Sequence, residues 1–129
     1  MLVDVSIGEA IDKWTILKIK SERVKDEIKL GNIIREKESL EKDIGGQMMG
    51  LVQEDCQKLL EINGRLWDIE DQIRIKESEK NFEKDFIELA RSVYFVNDER
   101  AEVKKTINLK CGSKLIEEKQ YVNYRGVGT

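Results

Sequence analysis

A chain of 129 residues, 40% hydrophobic and 38% charged, is sized for one domain; it is too apolar for a disordered chain and more charged than a small core requires. The 23 basic and 26 acidic residues interleave to a net charge of -3, which leaves no local positive field for DNA or a membrane surface, so neither partner is expected. The chain has no His, which excludes a histidine triad, a histidine metal site and a histidine pH switch.

No stretch approaches the ~18 consecutive apolar residues of a membrane span. The opening "MLVDVSIGEAIDKW" lacks the basic start of a signal peptide. Cys56 and Cys111 are two thiols at an undistinguished spacing, expected to be reduced in a cytoplasmic protein. There is no Pro, and Gly residues gather at a few places that divide a helical chain into segments.

Met1 to Val5 reads as extended. Ser6 followed three residues later by Glu9 matches a capping box, and Ala10, Ile11, Trp14, Leu17, Val24 and Ile28 continue an apolar stripe. This predicts a first helix over about residues 7–30, closed by Gly31 and Asn32. Ile33, Ile34, Leu40 and Ile44 predict a second helix over about 33–44, and "GGQMMG" a flexible connection over which Met48 and Met49 can fold back.

Leu59, Ile62, Leu66, Ile69 and Ile73 follow the 3, 4, 3, 4 rhythm of helix-on-helix packing and predict a third helix over about 51–79. Asn81 is a candidate N-cap for a fourth helix over about 82–110, with Phe86, Leu89, Ala90, Val93, Val96, Val103 and Ile107 on its buried side. Each of these two helices would be roughly 40 Å long, joined by a short turn near residue 80. Gly112 breaks the fourth, Ser113 opens a short helix over about 113–119, and "YVNYRGVGT" forms a loose tail or a docked segment. The fold class is therefore all-α: one domain over residues 1–129, an elongated antiparallel hairpin with additional N-terminal helices, bundle or coiled-coil-like. Its long arms carry more apolar seam than the shorter helices cover, so a homodimer is expected, with a monomeric bundle as the alternative.

Asn97, Arg100 and Lys104 interrupt the apolar face of the fourth helix, and Asn63, Glu70 and Glu77 recur every seven residues on the third. Laid antiparallel, these two sets form facing polar stripes. The first reading is an interhelical polar network that sets register. The second is a protein-interaction surface. The third is a pocket in which Arg100, Lys104 and Lys13 hold an anion while Glu70 or Asp71 orients it. Trp14 and Trp67 are expected to anchor the core, and Tyr121 and Tyr124 to staple the tail or meet a partner.

Catalytic signatures are missing. Glu70 and Asp71 are adjacent and so are not expected on one helical face, no ExxH motif occurs, and no phosphate-cradling glycine loop is present. Ser92, Cys56 and Cys111 have no activating base in view. No catalytic residue, metal or cofactor is expected.

Four stretches are similar to one family: "VSIGEAIDKWTILKIKSERV" at 5–24, "LWDIEDQIR" at 66–74, "FIELARSVYFVNDERAEVKKTIN" at 86–108 and "GSKLIEEKQY" at 112–121. They resemble DUF6165, a family of small bacterial and phage proteins. The resemblance covers most of the chain outside residues 31–58 and brings no defined catalytic activity. It implies a setting in cell-surface polysaccharide or glycosyltransferase gene neighbourhoods. It also implies that a family-type site lies among Glu9, Asp12, Lys13, Trp67, Glu70, Asp71, Arg74, Asn97, Asp98, Arg100 and Lys104, while Trp14 departs from the smaller residue usual there. The candidate polar network or anion site is accordingly Lys13, Asn63, Glu70, Asp71, Arg74, Asn97, Arg100 and Lys104. The functional expectation is a self-associating adaptor or accessory protein with a protein partner. The alternative is a small helical enzyme or binding protein for an anionic metabolite such as a sugar phosphate or nucleotide-sugar.

Overall fold

The computed structural model describes residues 1–126; among them are five helices and no strand, so the protein is all-α. The helices are α1 (Ile7–Arg23), α2 (Glu27–Ile44), α3 (Gly46–Leu51), α4 (Gln53–Ser78) and α5 (Lys84–Cys111). The long α4 and α5 form the antiparallel hairpin, α1 packs along both of them, and α2 folds back on α1. The last three residues of the expected tail, 127–129, lie outside the described part.

Element boundaries differ from the sequence reading at four places. The first helix ends at Arg23, where Val24 turns extended, and Asp26 caps α2 by accepting a hydrogen bond from Lys29 N at 2.9 Å. Gly31 and Asn32 therefore lie inside α2 instead of breaking it. Reversal at residues 24–26 lets α2 lay its apolar side on α1, where Trp14 Nε1 donates to Glu41 Oε1 at 3.0 Å. A straight continuation would leave that stripe in water.

"GGQMMG" is likewise no flexible link. Gly45 at φ 84° turns the chain and α3 follows at once, bringing Met49 against the core and burying Val52 completely. Burial of Val52 and half-buried Met49 offsets the weak propensity of a glycine-rich segment.

At the other end, Gly112 closes α5 in the left-handed conformation, and the helix expected over 113–119 does not form. Its side chains are engaged elsewhere. Ser113 Oγ accepts from Ile7 N at 3.1 Å and Glu117 accepts from Ser6 Oγ at 2.7 Å, which holds the segment extended beside the start of α1. A seven-residue helix is too short to compete with such ties.

The hairpin turn contains Lys80 at φ 54°, and α5 starts at Lys84 with Glu83 in the cap position, instead of at about residue 82 behind an Asn81 cap. Asn81 caps a turn before the helix, its Oδ1 accepting from Glu83 N at 3.2 Å. The core sits at the opposite end of the molecule, where Ile11, Val52, Cys56, Leu59 and Ile107 meet. Along the α4 seam, Leu59 and Ile62 are buried whereas Leu66, Ile69 and Ile73 are only half-buried. The difference tracks α1, whose last turn reaches Asp68 through Arg23 at 2.6 Å.

Candidate functional site

Gly8, Asp12, Thr15 and Ile19 are spaced 4, 3 and 4 residues apart, and all four are buried on the face of α1 that enters the hairpin. Gly8 is required there because a Cβ would stand 2.5 Å from Lys104 O and 2.9 Å from Asn108 Oδ1. Its N–H donates to that Asn108 oxygen at 2.6 Å, so α1 begins backbone to backbone against α5. This approach delivers Asp12 to the junction of α1, α4 and α5.

Asp12 is 1% exposed and is the centre of the site. Its Oδ1 accepts from Asn63 Nδ2 at 2.9 Å and Arg100 Nε at 3.0 Å, while Oδ2 accepts from Arg100 Nη2. Asn63 also donates to Thr15 Oγ1 at 2.9 Å, and Thr15 returns its proton to Asp12 O at 2.6 Å. The Asp12 hydrogen bonds and charge hold Arg100 more firmly in its charged form against the opposing effect of burial.

One turn on, Lys104 Nζ donates to Glu9 at 2.5 Å and to Glu117 at 3.3 Å. Burial works against the ammonium, but the Glu9 hydrogen bond and the charges of Glu9, Asp12 and Glu117 outweigh it and raise its affinity for the proton. Glu117 is also desolvated, yet the Ser6 hydrogen bond and Lys104 keep it below the usual carboxylate range. Two cations, three carboxylates, two amides and hydroxyls thus form one ladder that ties α1 to α4, α5 and the C-terminal segment.

The facing-stripe expectation is corrected in its partners. Arg100 and Lys104 are answered by Asp12 and Glu9 of α1; from α4 only Asn63 joins them. Glu77 is exposed and pairs with Lys80 at 3.1 Å, and Arg74 is exposed with Glu70 at 3.5 Å. Lys13 is exposed and stands apart from the ladder. Asn97 is half-buried in a different groove, beside Val93 and Tyr94.

Glu70 and Asp71 do border a common space. With Asn63, Trp67, Ile19 and Arg100 they line a groove of about 320 Å³, since residues 100° apart can flank a concave surface from either side. Trp14 is half-buried and packs against the core as expected, whereas Trp67 is half-buried on the groove wall; Arg23 lies over the Trp67 ring at 5.6 Å and Lys37 over Trp14 at 5.8 Å.

Asp12 and Glu9 were pointed to by the resemblance alone and stood outside the candidate network, and Thr15, Asn108 and Glu117 were missed. Asp12 and Thr15 had a legible signal, since they fall in the 4, 3, 4 rhythm of the buried stripe. Glu117 had none, because its place depends on how the chain leaves α5.

A family model described as "Family of unknown function (DUF6165)" matches residues 1–126. The chain belongs to DUF6165. No curated protein and no solved structure matches it. In this DUF6165 chain the described residues contain no group of three His, Cys, Asp or Glu side chains arranged to hold a metal ion. No described helix is long and apolar enough to cross a membrane. Cys56 and Cys111 are both free, and burial raises each thiol's pKa, which keeps them protonated and weakly nucleophilic.

Proposed function

We propose that this DUF6165 chain is a non-catalytic helical accessory protein that works as a dimer and presents its remaining surface to another protein. The observation that carries the reading is the bare outer half of the hairpin. Beyond Asp68 no third described helix accompanies α4 and α5, and Ile75, Phe82 and Ile87 are each more than 45% exposed. A second copy laid along this half would cover apolar side chains that the single chain leaves in water. The polar ladder supports the same reading, because its cations are spent on internal carboxylates and serve to lock α1 onto the hairpin. The polysaccharide-linked setting implied by the resemblance fits an accessory role.

Sedimentation of the purified chain tests this directly. A dimer that Ile87→Asp dissociates without loss of helix content is the expected result. A wild-type chain that stays monomeric across micromolar to millimolar concentrations refutes the reading.

One observation favours a second reading. Arg100 lines the α1–α4–α5 groove, and Asp12 occupies its Nε and Nη2 but not Nη1. A groove of about 320 Å³ is within the small-ligand range. On this reading Arg100 offers its remaining edge to one acidic oxygen of a metabolite such as a sugar phosphate, while Trp67 supplies a wall. Lys104 is taken up by Glu9 and Glu117, and Lys13 stands apart, so the anion would meet one cation and not three. Calorimetric titration with hexose phosphates and nucleotide-sugars, repeated on Arg100→Lys, decides it; absence of heat with every compound sinks it.

A further inference from the structure

The C-terminal segment crosses α5 and borders a second, open groove, of about 730 Å³, lined by Val93, Tyr94, Asn97, Tyr121, Val122 and Tyr124. Tyr124 holds its far end: the ring packs on Tyr94 at 4.8 Å and Phe95 at 5.1 Å, and its hydroxyl donates to Asp98. The crossing segment is extended, and residues 116–122 spend no backbone hydrogen bond within the described chain. The half-buried Asn97 amide beside it makes none either.

A second extended piece has the same character. Residues 1–5 are neither helix nor strand, spend no backbone hydrogen bond among the described residues, and expose Leu2, Val3 and Val5 at 98, 69 and 52%. We infer that residues 2–5 of one copy lie in this groove of a second copy, paired as a strand with residues 118–122, so that the two copies exchange their N-terminal segments. The inference rests on the self-association proposed above and names a contact that makes it specific.

Three features fit the two pieces to each other. Each offers a row of unspent backbone donors and acceptors, which is what strand addition uses. Val3 and Val5 share one face of such a strand and match a groove walled by valines and tyrosines. Asp4 and Lys119, the one charged side chain on the groove rim besides Asp98, have opposite charges, and neither is in an ion pair among the described residues.

Reach decides that the occupant comes from another copy. Ser6 is tied to Glu117, which sits beside Lys104. On α5 the groove runs from Asp98 back to Ala90, about 12 Å at the usual helical rise, and its far end lies about 21 Å from the level of Lys104. Residues 2–5 extend about 14 Å at most, so a chain's own segment stops short of the far half. A two-fold axis near Asn97 brings the start of α1 of the second copy level with Ala90, as far from Asn97 as Lys104 is on the other side. From there its segment lies along the full groove.

The test is sedimentation velocity on the full chain across a concentration series, with helix content checked by circular dichroism. Three samples are compared with wild type: Leu2→Asp/Val3→Asp, Tyr121→Asp/Val122→Asp, and an equal mixture of the two. All four positions are exposed, so the variants are expected to keep the fold. Each variant alone is expected to dimerise at least about tenfold more weakly, because both exchanged contacts carry the change. The mixture is expected to recover part of the dimer, since one intact segment then meets one intact groove. A dimeric wild type whose two variants dimerise as tightly overturns the exchange and leaves self-association standing. Weakened variants without recovery on mixing also overturn it, and so does a groove filled by the chain's own segment or by another protein while the wild type stays monomeric. In that last case the proposed self-association fails as well.

Discussion

Removing one side of the Asp12–Arg100 pair is the most informative perturbation, because the two partners are unequally buried. Asp12 accepts three hydrogen bonds, one from the neutral Asn63 amide and two from the Arg100 guanidinium, and it is 1% exposed. The Arg100 side chain is 28% exposed. Breaking a buried ion pair typically costs about 3–5 kcal/mol. Asp12→Ala strands a cation that water can reach, so the value is discounted to about 2–3 kcal/mol. Arg100→Ala strands a carboxylate that water cannot reach and belongs at about 3–5 kcal/mol. The double variant Asp12→Ala/Arg100→Ala should cost less than the sum by at least about 1 kcal/mol. Urea unfolding of the four proteins, followed by circular dichroism, supplies the cycle. If Arg100→Ala costs no more than Asp12→Ala, or if the two costs add, then Asp12 is not the buried centre of this junction.

Gly8→Ala places a methyl group 2.5 Å from Lys104 O, a backbone atom that cannot swing aside. After a gain of about 1 kcal/mol in helix propensity, the chain should lose about 1–3 kcal/mol in urea unfolding as α1 is pushed off α5; a stabilised variant would contradict the close approach. Lys80→Gly should raise stability by about 0.5 kcal/mol or more, because Lys80 sits at φ 54°, and a lower denaturation midpoint would count against strain there. Acid should weaken the fold through Glu41, held below its ordinary range by hydrogen bonds from Lys37 and Trp14, and through Glu117. A lowered carboxylate contributes stability that is present above its unfolded value, near ~4.3, and is lost as pH falls through the lower folded one. Denaturation midpoints between neutral and strongly acidic pH should therefore fall less steeply for Glu41→Gln than for wild type, and parallel curves would refute this.

Much of the architecture follows from local pattern. The 3, 4, 3, 4 spacing from Leu59 to Ile73 and the apolar side of residues 86–107 specify two long helices, and the short polar connection near residue 80 makes them a hairpin. The error at residue 24 has a physical cause. The apolar stripe of α1 continues through Ile28, so periodicity has no means of seeing that Asp26 caps a new helix. Periodicity also treats Leu59 and Ile73 alike, although their burial depends on whether α1 reaches them. Asn97, Arg100 and Lys104 were legible as interruptions of an apolar face, but a single helix's spacing cannot say which neighbour answers them. Arg100 met Asp12, Lys104 met Glu9 and Glu117, and Asn97 met a groove.

By itself the sequence determined an all-α chain, because hydrophobic period, capping residues and the lack of proline are local properties that each segment carries wherever it packs. Only the tertiary structure decided which polar residues are buried together. That outcome depends on Gly8 letting α1 approach the α5 backbone, which drops Asp12 into the one place where Asn63 and Arg100 can both reach it. A carboxylate there is stable only with those donors around it, and no single helix supplies them.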